Sequence, residues 1–444
     1  MMSRRARLIW LVVALVTAAP LAAAEPFAVE PLLTLARRAG LRVVEARHLA
    51  LVTDLAPRPD DGIDGLPELF DAAFPAWCRH YGLDPAAHDQ WRAFGCLVGD
   101  RDRFRAAGLL PTDGSVPDFA NGFCERNRFW LADQSNPAYR RHLLLHEGVH
   151  AFTLTIRRAA APTWYTEGIA EFLATHRLVD GRFEPTPIPS RAADVEQWGR
   201  IETLRRLRAA GAQPALADVL ALPPAAHQDI PAYASSWAAV ALLSTHPAHA
   251  RAFAAAERGP LDRDFNTRLA ATPGFDAAAA ARDFAAFLDD LDYGYDPSRM
   301  AVDWTAGSPL AASRTVPVAA DRGWQNAGVV LEAGRSYQWR ATGRCRLGTV
   351  GRTTLESEPD GISYDWYRDR PIGRLLVAQW HADGGGPPGF RIVAAGAAGD
   401  FRALADGPVF LRINEPPSGR ADNAAGYTVD IAPRRRPAAT PAAE

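Results

Sequence analysis

The sequence predicts a multidomain chain: an α+β domain with a small mixed sheet and many helices, followed by an all-β, jelly-roll-like sandwich. Three observations predict it. The chain has 444 residues, enough for two or three domains of ordinary size. Helical periodicity dominates residues 139–298. Residues 315–432 instead alternate short apolar runs with Gly, Pro, Asp and Asn turns, the spacing of an antiparallel sandwich.

Residues 1–24 read as a secretory signal. "MMSRRAR" is basic, "LIWLVVALV" is apolar, and Ala22 and Ala24 stand where an A-x-A cleavage site needs small side chains. The apolar core is too short to span a membrane comfortably, so a secreted or periplasmic protein with no stable span after cleavage is expected. Residues 25–298 form the first domain. In it, residues 86–108 read as a strand and then a helix, and "GFCERNRFWLADQ" (122–134) as one further strand. Residues 140–159, 166–176, 233–246 and 280–291 read as helices, with Pro162 ending the first and the second opening at Glu167. "HRLVDGRFEPTPIP" reads as a hairpin with an Asp-Gly turn. Residues 299–314 read as a linker, 315–432 as the sandwich, and the Pro/Ala-rich 433–444 as a disordered tail.

The net charge of −2 gives no electrostatic reason to expect nucleic acid as a partner. Every basic side chain that is not histidine is arginine, which a GC-rich codon bias accounts for. The cysteines are Cys78, Cys96, Cys124 and Cys345. Export permits disulfides, and one bridge among the first three is expected, although four cysteines allow three connectivities. None has C-x-x-C spacing, so a cysteine-based zinc site is not expected.

The informative stretch is "LLLHEGVHAF", residues 143–152. Side chains four apart on a helix are separated by about 400° of rotation and share a face. His146 and His150 are such a pair, so both imidazoles can reach one ion at about 2.0–2.1 Å. Glu147 follows the first and can lean over the ion without binding it. This is the H-E-x-x-H signature of zinc hydrolases. A catalytic zinc needs a third protein ligand and an open corner for water. Glu167 in "WYTEGIAEFLATH" is the candidate, and Glu171, one turn on, is placed to accept a hydrogen bond from the outer nitrogen of a ligand histidine. His142 and His176 flank the motif and read as structural or surface residues. Trp164 and Tyr165 read as core residues or as cleft wall.

"HEGVH" followed by "WYTEGIAEF" resembles the gluzincin metallopeptidases, the thermolysin-like and aminopeptidase-like clan, over roughly residues 90–250. The resemblance implies His146, His150 and Glu167 as zinc ligands, Glu147 as general base and Glu171 as the partner of a ligand histidine. It implies a peptide or protein substrate, and the strand "NRFWLADQ" as the edge strand lining its cleft. The helix "IPAYASSWAAVALLSTH" is similar to one that follows the zinc ligands in related peptidases, which implies Tyr233 as the donor to the oxyanion. No G-x-M-E-N motif precedes the helix, so an endopeptidase is expected rather than an exopeptidase.

The C-terminal run resembles galactose-binding lectins of the PA-I type. In those lectins an I-N-D turn and a later N-N pair hold calcium; the matching positions here are Asn414, Glu415, Asp422 and Asn423. Ca²⁺ and a carbohydrate partner are what that resemblance implies. Two other readings stay open: a zinc hydrolase acting on a non-peptide bond, and a non-catalytic surface or glycan-binding protein whose sandwich does the work.

Overall fold

The computed structural model describes residues 25–57, 62–382 and 386–434, without the side chains of His227 and Gln228. The signal at 1–24 and most of the expected tail lie outside the described residues. The rest is a multidomain α+β arrangement.

The first part is built on a mixed sheet in the order β1 (Arg42–Glu45), β2 (Leu49–Thr53), β3 (Ala93–Val98), β5 (Arg128–Ala132), β4 (Gly122–Glu125). β2, β3 and β5 run parallel, and β1 and β4 close the two edges antiparallel. Strand alternation splits the side chains between two layers. Leu49, Leu51, Leu97, Phe129 and Leu131 face a core completed by α2 (Leu66–His80) and α4 (Pro137–Thr155). Ala50, Val52, Phe94, Cys96 and Trp130 face the opposite layer, with α1 (Val29–Arg38) and α3 (Arg101–Ala106).

Residues 122–134 are therefore a hairpin and not one strand. Its two-residue turn, Arg126–Asn127, carries Arg126 at φ 57°. The Asn127 amide is spent on the backbone of Phe27 and Arg92, which makes a turn where the apolar pattern alone suggested continuity. The edge strand is consequently β4; β5, which contains "RFWLA", lies inside the sheet.

The Asn136 side chain caps α4, and Pro137 sits in its first turn, where a missing N–H costs nothing. α4 ends at Thr155, before Pro162. That proline caps α5 (Thr163–Ala174), so Glu167 lies inside α5 and not at its opening. The hairpin β6 (His176–Val179) and β7 (Arg182–Pro185) follows as expected, with Asp180 and Gly181 at φ 50° and 76°. The remaining helices are α6 (Arg200–Ala209), α7 (Leu216–Leu220), α8 (Ile230–Thr245), α9 (Ala250–Glu257), α10 (Phe265–Ala271), α11 (Ala277–Asp290) and α12 (Pro297–Met300). α8 crosses α5 at Gly168, where a Cβ would overlap the Ser236 backbone carbonyl.

The second part contains β8 (Ser308–Pro309), β9 (Arg314–Ala319), β10 (Gln325–Leu331), β11 (Ser336–Thr342), β12 (Cys345–Val350), β13 (Thr353–Ser357), β14 (Ile362–Tyr367), β15 (Arg370–Ile372), β16 (Leu375–His381), β17 (Gly389–Ala395), β18 (Ala398–Arg402), β19 (Gly407–Ile413) and β20 (Ala424–Pro433). One sheet runs β17-β16-β19-β10-β8. The other runs β13-β12-β20-β11-β18 with β9 also on β20, while β14 and β15 form a separate hairpin. Tyr337, Trp339, Val409, Leu411, Val429 and Ile431 fill the space between the two sheets.

The stretch expected as a linker is packed. Trp304 sits among Trp380, Phe390 and Phe410 on the outer face of the first sheet, and its Nε1 donates to Asp283 of α11 at 2.6 Å. Arg412 donates to Asp290 at 2.6 Å, and Arg208 donates to the Pro388 carbonyl at 2.9 Å, across the same boundary. All four cysteines are free thiols, against the expected bridge. β5 stands between Cys96 on β3 and Cys124 on β4, so about 9–10 Å of sheet separates them, beyond the ~7 Å that a disulfide spans. Cys78 faces the opposite layer from Cys96.

Candidate metal centre

α4 and α5 bring three donors together. His146 Nε2 lies 3.1 Å from His150 Nε2, and Glu167 Oε2 lies 3.4 Å from each. Bonds of 2.0–2.1 Å at tetrahedral angles would place ligand atoms about 3.3–3.4 Å apart, so the triangle has the dimensions of a zinc site. The two imidazole Nε2 atoms face each other closely enough to share either a proton or a cation. Glu167 Oε2 is itself buried with no hydrogen bond in the structure. The donor set fits zinc.

Glu171 organises this triangle from behind. Its carboxylate lies 3.2 Å from His146 Nδ1 and 3.3 Å from His142 Nε2, and accepts from Trp198 Nε1 at 3.0 Å and from Arg200 at 2.9 and 3.0 Å. Burial pushes Glu171 up, but Arg200 and His142 outweigh it and hold the carboxyl well below the usual range. An ionised Glu171 keeps the proton on His146 Nδ1 and leaves Nε2 as a donor to metal. Burial disfavours the charged form of His146, yet Glu167 and Glu171 raise its pKa to about 10. In the same way burial raises Glu167, and His150 and His146 bring it down to about 2. Metal binding must therefore displace a proton from the cluster.

His142, Trp198 and Arg200 are site residues that the sequence reading missed. For His142 the signal was present: it precedes His146 by four, so His142, His146 and His150 form one stripe on α4. Arg200 opens α6 and Trp198 lies two residues before it, and no local spacing points to them. His176 is structural, as expected, with Nδ1 2.8 Å from the Ala174 carbonyl. Trp164 and Tyr165 are core residues, the latter donating to Glu257.

Glu147, which follows His146 along α4, lies against the edge strand β4 and is 5% exposed. A Cβ at Gly122 of β4 would overlap its carboxylate. Burial raises its pKa, although His146 and His150 oppose the rise. Tyr233 of α8 stands edge-on to His146, ring centroids 5.9 Å apart, under the Arg200 guanidinium. Burial, and then the charges of Glu167, Glu147 and Glu171, raise its pKa, so its hydroxyl remains a donor. These groups open on a cavity of about 310 Å³ that Tyr139, Arg200, Thr203, Arg206 and Ile230 also line.

The four C-terminal candidates do not form an open cradle. Asn414 donates to the carbonyls of Tyr367, Arg370 and Pro371, Glu415 accepts from Asn423, and Asp422 stays exposed. The positive charge there is Arg420, 1% exposed, whose guanidinium donates to the carbonyls of Ala320, Arg322, Ile413 and Glu415. Burial raises Glu415 to about 7. The Arg420 guanidinium thus lies beside the turn that carries the four candidates.

No family model matches the chain, and no curated protein matches it. Similar solved structures include the EclA N-terminal domain, a PllA-like lectin, with 23% identity, a TM-score of 0.20, and coverage of 28% of this chain and 98% of that one. They also include PliG, a periplasmic inhibitor of g-type lysozyme from Aeromonas hydrophila, with 8% identity, a TM-score of 0.17, and coverage of 30% and 96%. At such TM-scores neither likeness bears on function. Among the described residues no helix is long and apolar enough to cross a membrane.

Proposed function

We propose that the protein is an exported zinc-dependent peptidase of gluzincin type, acting as an endopeptidase. The observation that carries this reading is the convergence of His146, His150 and Glu167 into a triangle of zinc dimensions, with Glu147 beside it at the wall of an open cavity.

Zinc, when bound, supplies a Lewis acid for the scissile carbonyl and a water of near-neutral pKa. Glu147 accepts the proton of the attacking water and delivers it to the leaving amine; a raised carboxyl pKa suits both transfers. Tyr233 donates to the developing oxyanion. Glu171 holds the tautomer of His146. The test is zinc content and casein hydrolysis of wild type and Glu147→Gln. Zinc in both, with activity in the wild type alone, is the expected result. Equal background activity with zinc retained would overturn it.

That outcome would favour a second reading, a binding role for the sandwich. Its support is Tyr364 and Trp366 of β14, aromatic side chains left 60% and 59% exposed among the described residues.

A further inference from the structure

α6 carries four arginines within nine residues, Arg200, Arg205, Arg206 and Arg208. Three are matched by carboxylates: Arg200 by Glu171, Arg205 by Asp292 and Arg208 by Asp289. Arg206 is the exception among the described residues. Its Nε reaches the Glu202 carbonyl at 3.4 Å and its Nη2 the Thr203 hydroxyl at 3.3 Å, both on its own helix. It is exposed, yet it lines the same cavity as His146 and Glu147.

Arg200 neutralises Glu171, and a divalent ion at the triangle would be balanced by Glu147 with Glu167. Arg206 is left as the uncompensated charge of the cleft. Arg200, Thr203 and Arg206 follow one another at intervals of three along α6 and all line the cavity, so one face of α6 leads from Arg200 beside Glu171 outward to the Arg206 guanidinium. Six helical residues rise about 9 Å, which an extended peptide covers in roughly three residues.

We infer that Arg206 is a specificity-determining residue that receives a carboxylate of the substrate, within about three residues of the scissile bond. A guanidinium offers a planar fork of donors that a carboxylate matches in two hydrogen bonds. The carboxylate has two possible sources, an acidic side chain or the C-terminus of a short peptide. This inference rests on the peptidase reading and deepens it.

The test uses zinc-loaded full-length protein and paired peptides. In one set, blocked at both ends, members differ only by Glu or Gln at single positions; in the other, members end in a free acid or an amide. Binding of the same pairs to Glu147→Gln, read by fluorescence anisotropy, gives a readout apart from turnover. Wild type is expected to favour the carboxylate member of one set by about tenfold or more in kcat/KM and in affinity. Arg206→Ala should abolish that preference, and Arg206→Glu should turn it toward Lys at the same position, with zinc content and melting temperature unchanged in both. The set that responds identifies the source. If wild type cleaves both members of every pair equally, or Arg206→Ala keeps the preference, the inference fails and the peptidase reading stands. If wild type cleaves no peptide, and Glu147→Gln binds none, both fall together.

Discussion

The Nδ1 of His146 lies 3.2 Å from Glu171 Oε1, and Arg200 bonds the same carboxylate at 2.9 Å. One buried carboxylate thus joins α4 to α6, and its charge favours the proton on the Nδ1 of His146, leaving Nε2 toward His150 and Glu167. Glu171→Gln should weaken zinc binding by about 10–100-fold, measured by competition with a chromogenic chelator. Unchanged zinc affinity would remove Glu171 from this role.

Gly122 lies where any Cβ would overlap the Glu147 carboxylate. Gly122→Ala should displace that carboxylate from its working position and lower kcat, with zinc content and KM little changed. A fall in zinc content of equal size would mean that β4 supports the whole α4 helix and not Glu147 in particular.

At Gly168 the obstacle is backbone. The Ser236 carbonyl belongs to α8 and cannot rotate away as a side chain could. Gly168→Ala should destabilise the fold by about 1–3 kcal/mol in urea unfolding, and it should weaken zinc binding because Glu167 is the preceding residue. Wild-type stability would show that the α5–α8 crossing has slack.

Burial pushes Asp290 up, but Arg412 and Arg368 prevail and hold its carboxyl below the ordinary range. A depressed pKa contributes stability that is present above the unfolded value of about 3.9 and is lost as pH falls through the folded value. The contact between the two parts should therefore weaken below about pH 4. Arg412→Ala leaves Asp290 buried with less compensation and should cost about 3–5 kcal/mol at neutral pH. It should also flatten the acid dependence, as read from unfolding midpoints across a pH series. An unchanged acid limb would place the sensitivity elsewhere.

Arg420→Met should leave the carbonyls of Ala320, Arg322, Ile413 and Glu415 without their shared donor. A loss of about 3 kcal/mol or more is expected. Calcium should not raise the wild-type melting temperature, because the Ile413 and Glu415 carbonyls of this turn are already engaged by a guanidinium. A calcium-dependent rise would show a cation site beside it.

The H-E-x-x-H stripe, the later E-G-x-A-E and the Asp-Gly hairpin were legible because each is local: helix periodicity or a two-residue turn determines the relative placement of neighbours in the chain. The periodicity did not reveal where α5 begins. Pro162 and Thr163 carry no apolar signal, and the cap is set by how the chain returns from α4. Nor did it separate β4 from β5, since Asn127 turns the chain through bonds to Phe27 and Arg92, remote in sequence. The expected disulfide failed for the same kind of reason, because the strand standing between two cysteines is a matter of sheet order.

By itself the sequence determined the helices, the strand-rich second half and the pair of histidines one turn apart, all consequences of spacing along a single element. Only the tertiary structure decided that Glu167 meets those histidines, that Arg200 and Trp198 hold Glu171, that Arg206 lines the cavity with no carboxylate partner among the described residues, and that Arg420 serves the carbonyls of the C-terminal turn. Each of these depends on helices crossing or sheets packing, where side chains far apart in the chain must share one buried volume and balance one another's charge. No local pattern encodes that balance.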